Sequence, residues 1–149
     1  MVFRGRFEHT IDEKGRVSIP AKFRDVLKQK YGSDQIIITI FDSCLVAYPL
    51  EEWKVFEEKM KNLSVLKKEV KFFLRYFYSG ALECAIDDHG RILIPSQLRD
   101  NAELRKECVF VGVMRGFEIW DKGIWEQEVE KYKETFDEIS ESMAEWMGI

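Results

Sequence analysis

The hydrophobic positions of this chain switch between the two-residue period of a strand and the longer period of a helix, and the same order of elements is present twice. Four strands are predicted in each half, and the matching pairs are residues 3–11 and 78–86, 16–19 and 91–94, 36–40 and 109–113, and 44–48 and 117–120. Pro20 and Pro95 follow the second strand of each half, and proline is tolerated at the first helical position, so a helix is expected there. The pattern predicts an α+β chain built from two copies of one unit.

Further helices are predicted from apolar stripes. In the first copy Phe23, Val26 and Leu27 lie on one helical face, and Gly32 is expected to end that helix. A second helix is predicted over residues 53–63, and Ser64 is expected to cap a third one that extends to residue 77. The third helix carries an aromatic group that can belong to the core or to a subunit interface, and the core is the commoner place: Phe72, Phe73, Tyr76, Phe77 and Tyr78.

The C-terminal stretch has the most regular pattern in the chain. From Trp125 to Trp146 the apolar residues are separated by steps of four and three, which gives three heptads of an apolar seam on one helix. Two interpretations are open, because such a helix can pack on its own core or against another subunit.

A tandem duplication explains why the elements repeat. Residues 11–20, IDEKGRVSIP, return as residues 86–95, IDDHGRILIP, at a constant offset of 75. We therefore expect a first repeat with a helical extension at residues 1–77 and a second repeat with a C-terminal helix at residues 78–149, and the length suits either one compact domain or two small interlocked halves.

Both copies contain a turn with favourable chemistry. Asp12 and Asp87 can accept hydrogen bonds from the backbone two residues on, and Gly15 and Gly90 can adopt positive φ at low cost. Such segments suit a type I turn followed by a glycine bulge, which is a common hairpin connection.

Composition and charge narrow the class of protein. The chain has 149 residues, 46% of them hydrophobic and 34% charged, as in an ordinary globular protein. Neither a membrane-spanning run nor an apolar leader is seen, so a cytoplasmic location is expected. The three cysteines form no C-x-x-C pair and are expected to be reduced and mostly buried: Cys44, Cys84 and Cys108. The net charge of −4 averages two unlike ends, since residues 1–30 carry eight bases and four acids, whereas residues 121–149 carry three bases and nine acids.

Signatures of catalysis and of cofactors are sparse. The two histidines are in different segments, no Cys/His cluster has metal-ligand spacing, and no glycine-rich phosphate loop is present. Asp12 and Asp87 could be imagined as an acid and base pair, but their place in the turns favours a structural role. We expect no catalytic residue, no metal, no cofactor and no small-molecule substrate, and hence no enzyme.

One constellation remains, the pairs Asp12 with Arg16 and Asp87 with Arg91. They can be local salt bridges of hairpin turns, which contribute little when exposed. Alternatively, each aspartate orients an arginine toward a phosphate or a guanine edge, and a two-stranded ribbon fits the major groove of B-DNA. Basic side chains near the first turn would add phosphate contacts, which favours the interpretation as a DNA-binding site: Arg4, Arg6, Lys14, Lys22 and Arg24.

The doubled motif D-x-x-G-R-x-x-x-P-x-x-x-R, at residues 12–24 and 87–99 and preceded by F-x-G at residues 3–5, resembles the MraZ family of bacterial transcriptional regulators over nearly the whole chain. A single copy would match only the wider AbrB-like superfamily of swapped-hairpin DNA binders. The resemblance implies a pseudo-dimeric swapped-hairpin β-barrel formed by the two repeats, with flanking helices.

The resemblance also implies partners and a site. It implies a homo-oligomeric ring associated with the nucleoid, which binds double-stranded promoter DNA of the division and cell-wall gene cluster. The DNA-binding residues carried over are those of the two D-x-x-x-R motifs with their turns, supported by phosphate contacts from the basic residues around them: Asp12, Lys14, Gly15, Arg16, Asp87, Gly90 and Arg91, with Arg4, Arg6, Lys22, Arg24 and Arg99.

The two copies differ in charge. The second has Ser79, Ala81 and Gln97 where the first has basic residues, so the first is expected to dominate phosphate binding and the second to act chiefly through Arg91. The rival hypothesis is an oligomeric interaction module, antitoxin-like and without promoter regulation, for which the heptads at residues 125–146 are the supporting feature.

Overall fold

The computed structural model describes residues 1–149 and contains eight strands and six helices. The strands are β1 Arg6–Thr10, β2 Arg16–Ser18, β3 Gln35–Phe41, β4 Cys44–Pro49, β5 Leu82–Ala85, β6 Arg91–Leu93, β7 Glu107–Gly112 and β8 Phe117–Asp121. The helices are α1 Ala21–Val26, α2 Leu50–Met60, α3 Lys68–Phe73, α4 Ser96–Asn101, α5 Lys122–Tyr132 and α6 Phe136–Met147, and π-helical turns at Leu27–Tyr31 and Leu74–Tyr78 prolong α1 and α3.

The two repeats exchange strands within one antiparallel sheet. Its order is β1-β7-β8-β4-β3-β5, so the first strand of each repeat pairs with a hairpin of the other repeat. The remaining strands, β2 and β6, also come from different repeats and form a separate two-stranded ribbon. The strands are thus hydrogen-bonded as an open sheet and a ribbon, not as one closed barrel.

Both faces of the sheet are covered, because successive side chains of a strand point to opposite faces. One face packs with the ribbon, α1 and α4 in a core of 22 buried residues, to which Ile36, Ile38 and Phe110 belong. The other face packs against α2, the turn Leu74–Tyr78 and α5, around Trp53 and Trp120. Strand β3 is buried on both faces, which explains its unbroken run of isoleucines and threonine.

Several predictions from the sequence are confirmed. The chain is a mixed α and β protein with an antiparallel sheet, helices follow Pro20 and Pro95, and Gly32 ends the first helical segment in the left-handed conformation. The three cysteines are buried and unpaired. No helix has both the length and the apolar character needed to span a membrane.

Three element predictions are wrong. Strand β5 begins at Leu82 rather than at residue 78, because the chain up to Tyr78 is helical and Phe77 packs on Trp53 with 5.7 Å between ring centroids. Ser64 caps no helix, since α3 begins at Lys68. The C-terminal heptads do not form one helix, because residues 133–135 interrupt it between α5 and α6.

Candidate functional site

The ribbon has an inward and an outward face. Val17 and Ile92 are paired at its centre and each is 1% exposed, because both point into the core. The neighbours of these two residues therefore point outward, and they form two cross-strand pairs: Arg16 with Leu93, and Ser18 with Arg91. The two arginines thus share the outward face, at opposite ends of the ribbon.

The turn before β2 has the geometry that its sequence predicts. The Gly15 amide donates to the Asp12 carbonyl over 3.0 Å, and Gly15 has a φ of 88°, which is the left-handed region that glycine adopts at low cost. Oδ1 of Asp12 accepts hydrogen bonds from the amides of Lys14 and Arg16, both at 2.9 Å. The aspartate therefore ties both sides of the turn together.

The same aspartate positions the arginine. Nε of Arg16 donates to Oδ2 of Asp12 over 2.8 Å, and this is the only hydrogen bond that the Arg16 side chain makes within the protein. Because Nε is used, the two terminal nitrogens of the guanidinium remain free to donate to a ligand. The free pair has the bidentate geometry that suits a phosphate or a guanine edge.

The second repeat reproduces this arrangement. Oδ1 of Asp87 accepts from the amides of His89 and Arg91 at 2.8 and 2.9 Å, and Oδ2 accepts from Nε of Arg91 at 3.1 Å. Gly90 has a φ of 77°. The site is therefore a pair of arginines, each held by an aspartate in the same way, and the pseudo-twofold axis of the ribbon relates the two.

Hydrogen bonding also sets the charge of the two aspartates. The bond from the Arg16 amide is the largest cause that lowers the pKa of Asp12 below its ordinary value of 3.8, and the bond from the Arg91 amide does the same for the pKa of Asp87. Both carboxylates are therefore ionised at neutral pH, as acceptors for the arginines must be.

Arg24 and Arg99 connect the repeats. Nε of Arg24 donates to the Ile19 carbonyl over 3.1 Å, and Nε of Arg99 donates to the Ile94 carbonyl over 3.0 Å. The guanidinium of Arg24 lies against Gly90 and that of Arg99 against Gly15, so each covers the turn of the other repeat. Both were predicted as phosphate contacts, and their terminal nitrogens lie beside the turns.

The other predicted basic residues are spread more widely. Lys14 is exposed in the first turn, and Arg4 and Lys22 share a surface hollow with Asp25. Arg6 lies elsewhere, with Cζ 5.9 Å from the ring centroid of Trp125, on the sheet face opposite to the ribbon. The structure therefore brings together the turn residues, Arg16, Arg91, Arg24 and Arg99, and leaves Arg6 apart from them.

Sequence reasoning missed Ser18 and Leu93, which complete the outward face of the ribbon. The available signal was the alternation around Val17 and Ile92, because residues on either side of a buried strand position point away from the core. Leu93 is 56% exposed, as its outward position in the ribbon requires.

No group of three or more His, Cys, Asp or Glu side chains is placed to share a metal ion. The largest hollow beside the ribbon is an open groove lined by Arg24, Asp87 and Gly90, among others, rather than an enclosed cavity.

Comparison with known proteins decides the family. A family model described as "MraZ protein, putative antitoxin-like" matches residues 2–76 and, a second time, residues 77–146. The chain belongs to the MraZ family. The two matches span both repeats of the duplication, and the resemblance noted in the sequence is confirmed.

Curated members of the MraZ family are similar over almost their whole length. A protein named Transcriptional regulator MraZ from Caldanaerobacter subterraneus subsp. tengcongensis is 47% identical over 139 residues, which cover 93% of this chain and 94% of that protein. Proteins of the same name from Pediococcus pentosaceus and Ligilactobacillus salivarius are 44% and 45% identical over 145 residues, which cover 97% of this chain and 99% of each relative.

Proposed function

We propose that this protein is a sequence-specific, DNA-binding transcriptional regulator that reads the major groove with the β2–β6 ribbon. One observation carries the proposal: Arg16 and Arg91 share the outward face, and each is held at Nε by an aspartate that leaves its terminal nitrogens free. A guanidinium presented in this way can donate two hydrogen bonds to O6 and N7 of guanine. The name of the relatives, Transcriptional regulator MraZ, supports the same function.

The spacing of the two arginines fits a duplex. Arg16 and Arg91 are diagonal neighbours in the ribbon, and diagonal neighbours of an antiparallel pair are about 7–8 Å apart. Successive bases of one strand rise by about 3.4 Å along B-DNA, so two bases contacted at this spacing are roughly two steps apart. A ribbon of two strands is also narrow enough to enter the major groove.

Phosphate contacts come from the cations beside the ribbon. Three cations border the turns: Lys14, Arg24 and Arg99. Two more cations of the first repeat, Arg4 and Lys22, share a surface hollow. Four of these five residues belong to the first repeat, which supports its larger share of phosphate binding. Arg6 contributes least in this proposal, because it lies against Trp125 on the far face of the sheet.

We further propose that the strand exchange makes the chain a pseudo-dimeric member of the AbrB-like swapped-hairpin superfamily. The exchange of β1 and β5 between repeats and the cross-repeat ribbon support this relationship. The target that the resemblance implies is a set of promoter repeats in the division and cell-wall gene cluster, and nucleoid association follows from such binding.

The C-terminal helices support an oligomer, for which a ring is the arrangement that the resemblance implies. No residue of α5 or α6 is buried, and the apolar face of α6 is open to solvent: Phe136, Ile139, Met143, Trp146 and Met147. An exposed face of neighbouring apolar side chains is typical of a protein–protein interface. A ring would present several ribbons to repeated boxes and would raise avidity without any new contact.

The test is DNA binding by an Arg16→Ala, Arg91→Ala variant. Each bidentate arginine contributes about 1–3 kcal/mol of discrimination, so the Kd for a duplex from upstream of the protein's own gene should rise at least ~30-fold. A Lys59→Ala, Lys68→Ala variant removes the same charge from exposed positions of α2 and α3 and should bind within about twofold of the wild type. Both variants should keep the wild-type circular dichroism, and wild-type affinity should fall steeply with salt because phosphate contacts release counterions.

Unchanged affinity of the arginine variant for the duplex would refute this site. An equal loss of affinity in both variants would show that the protein binds DNA only through non-specific electrostatic attraction. A salt-independent affinity would argue against DNA as the partner.

A second candidate function is an antitoxin-like interaction module, and the exposed apolar face of α6 is the observation that favours it. Deletion of residues 136–149, which removes α6 and leaves α5 on the sheet, distinguishes the two functions. Loss of a protein partner with intact binding to repeated boxes would favour the module, whereas loss of assembly together with binding to repeated boxes would favour the oligomeric regulator.

A further inference from the structure

The outward face of the ribbon is less symmetric than its arginines. Residues 18 and 93 occupy equivalent positions in the two repeats, at the offset of 75 that relates Arg16 to Arg91. The first is Ser18 and the second is Leu93, so the two equivalent positions differ in chemistry while the arginines do not.

The register gives each arginine a different neighbour. Leu93 lies directly opposite Arg16 across the ladder, whereas Ser18 lies directly opposite Arg91. Side chains directly opposite each other in an antiparallel pair have Cβ atoms about 4.5–5.5 Å apart, so each pair acts on adjacent chemical groups of a ligand. One half of the ribbon therefore combines a guanidinium with an apolar branch, and the other half combines a guanidinium with a hydroxyl.

The core of this chain has no place for the Leu93 side chain. Ile92 and Ile94, on either side, are 1% and 0% exposed and fill the inward positions, so burial of Leu93 inside this chain is excluded by the pleat. A single exposed leucine is ordinary on a protein surface. Leu93 differs because it is paired with Arg16, and the free guanidinium nitrogens beside it favour an anionic, hydrogen-bond-accepting partner such as DNA.

We propose that Leu93 contacts the C5 methyl group of a thymine next to the base that Arg16 reads, and that the Arg91 half makes no such contact. This inference rests on the proposed function. The major groove displays the thymine methyl as its one apolar group, and an aliphatic side chain is its natural contact. The chain then reads two unlike half-sites, so it favours one orientation of a box over the other, and its preferred target is not a palindrome.

Uracil substitution tests the contact without changing base pairing. A duplex with a single box is taken from the footprint upstream of the protein's own gene, and each thymine in turn is replaced by deoxyuridine, which lacks only the methyl group. For the wild type we expect one position in the box where the Kd rises about fourfold, the factor that corresponds to one buried methyl-sized group. In Leu93→Ser the same substitution should have no effect.

The chain offers its own matched control, because Leu93→Ser places on the second repeat the residue that the first repeat already has. The reverse change, Ser18→Leu, should add sensitivity to a methyl group in the other half of the box. Thermal unfolding of both variants verifies that the ribbon is intact, since neither position belongs to the core.

The outcomes separate this inference from the proposed function. If the wild type binds specifically and depends on Arg16 and Arg91, but no uracil substitution matters or Leu93→Ser keeps the wild-type sensitivity, the role of Leu93 is refuted and the regulator stands. If the wild type fails to bind the duplex, the proposed function itself fails. If Leu93→Ser changes the mass of the DNA-free protein in sedimentation, Leu93 belongs to a protein interface and the inference is overturned.

Discussion

Asp12 and Asp87 each divide their two oxygens between two tasks. One oxygen accepts backbone amides of the turn, and the other accepts Nε of the arginine that faces outward. An exposed ion pair of this kind adds little to stability, so its consequence is orientation. Because the pKa of each aspartate is lowered, the stabilising charge is fully present above pH 3.8 and is lost only as the pH falls through the lowered value.

Gly15 provides a prediction at the residue scale. At a φ of 88°, alanine would be strained by about 1–2 kcal/mol, and its Cβ would also lie 2.9 Å from the Ile94 carbonyl and 2.8 Å from Cζ of Arg99. Gly15→Ala should therefore lower the free energy of unfolding by about 2–4 kcal/mol in urea denaturation.

Gly32 is the matched control, since it also has positive φ, at 58°, but no atom lies within 4 Å of the position that an alanine Cβ would occupy. Gly32→Ala should lower the free energy of unfolding by only about 1 kcal/mol. Equal losses at both positions would show that the packing of Arg99 over the turn contributes nothing.

At the scale of elements, α1 and α4 act as supports for the ribbon. Each helix supplies one arginine that donates to a carbonyl at the end of its own repeat's ribbon segment and covers the turn of the other repeat. Because the turns also exchange backbone bonds with the opposite repeat, from Ile19 to Gly90 and from Ile94 to Gly15, neither half of the ribbon is complete alone.

Arg24→Met tests this support. Methionine keeps an apolar stem but leaves the Ile19 carbonyl without its side-chain donor, so the free energy of unfolding should fall by about 1 kcal/mol or somewhat more. Amide hydrogen exchange of Ile19 should also become faster. Arg105→Met is the control, because the Arg105 side chain makes no hydrogen bond in the protein, and it should change neither measurement. Wild-type exchange at Ile19 in Arg24→Met would contradict the role given to α1.

Local chemistry explains which elements could be predicted from the sequence. The two turns were predictable because Asp and Gly determine their geometry through contacts within four residues. The strand at residues 78–86 was misjudged because Tyr78 remains helical, where its ring stacks on Trp53 and its hydroxyl donates to Glu57. Arg6 was grouped with the hairpin for its proximity in sequence, whereas the pairing of β1 with β7 directs it to Trp125. Such long-range pairing leaves no local signal.

At the scale of the whole molecule, α6 stands out because none of its residues is buried within the single chain. Its apolar side chains belong to neither core, and Trp146 is 86% exposed. The break at residues 133–135 separates α6 from α5, so α6 presents its face independently of the helix that packs on Trp120.

Ile139→Lys should therefore dissociate the proposed oligomer, because a charge in an apolar interface is not compensated. Sedimentation should show a smaller particle, and the affinity for DNA with several boxes should fall by about 10²–10⁴ while the affinity for one box is unchanged. Glu141→Gln makes the same change in net charge on the polar face of α6 and should leave the assembly intact. An unchanged particle in Ile139→Lys would place the subunit interface elsewhere.

The exchange of strands has a consequence for the biosynthesis of the chain. Strand β1 leaves the ribosome well before its partner β7, which lies about a hundred residues later in the chain, as the pairing of His9 with Cys108 illustrates. At synthesis rates of about 5–20 residues per second, β1 remains without its partner for about 5–20 s. The nascent first repeat therefore exposes an unpaired strand edge until β7 has been translated, and chaperones have an opportunity to act during that interval.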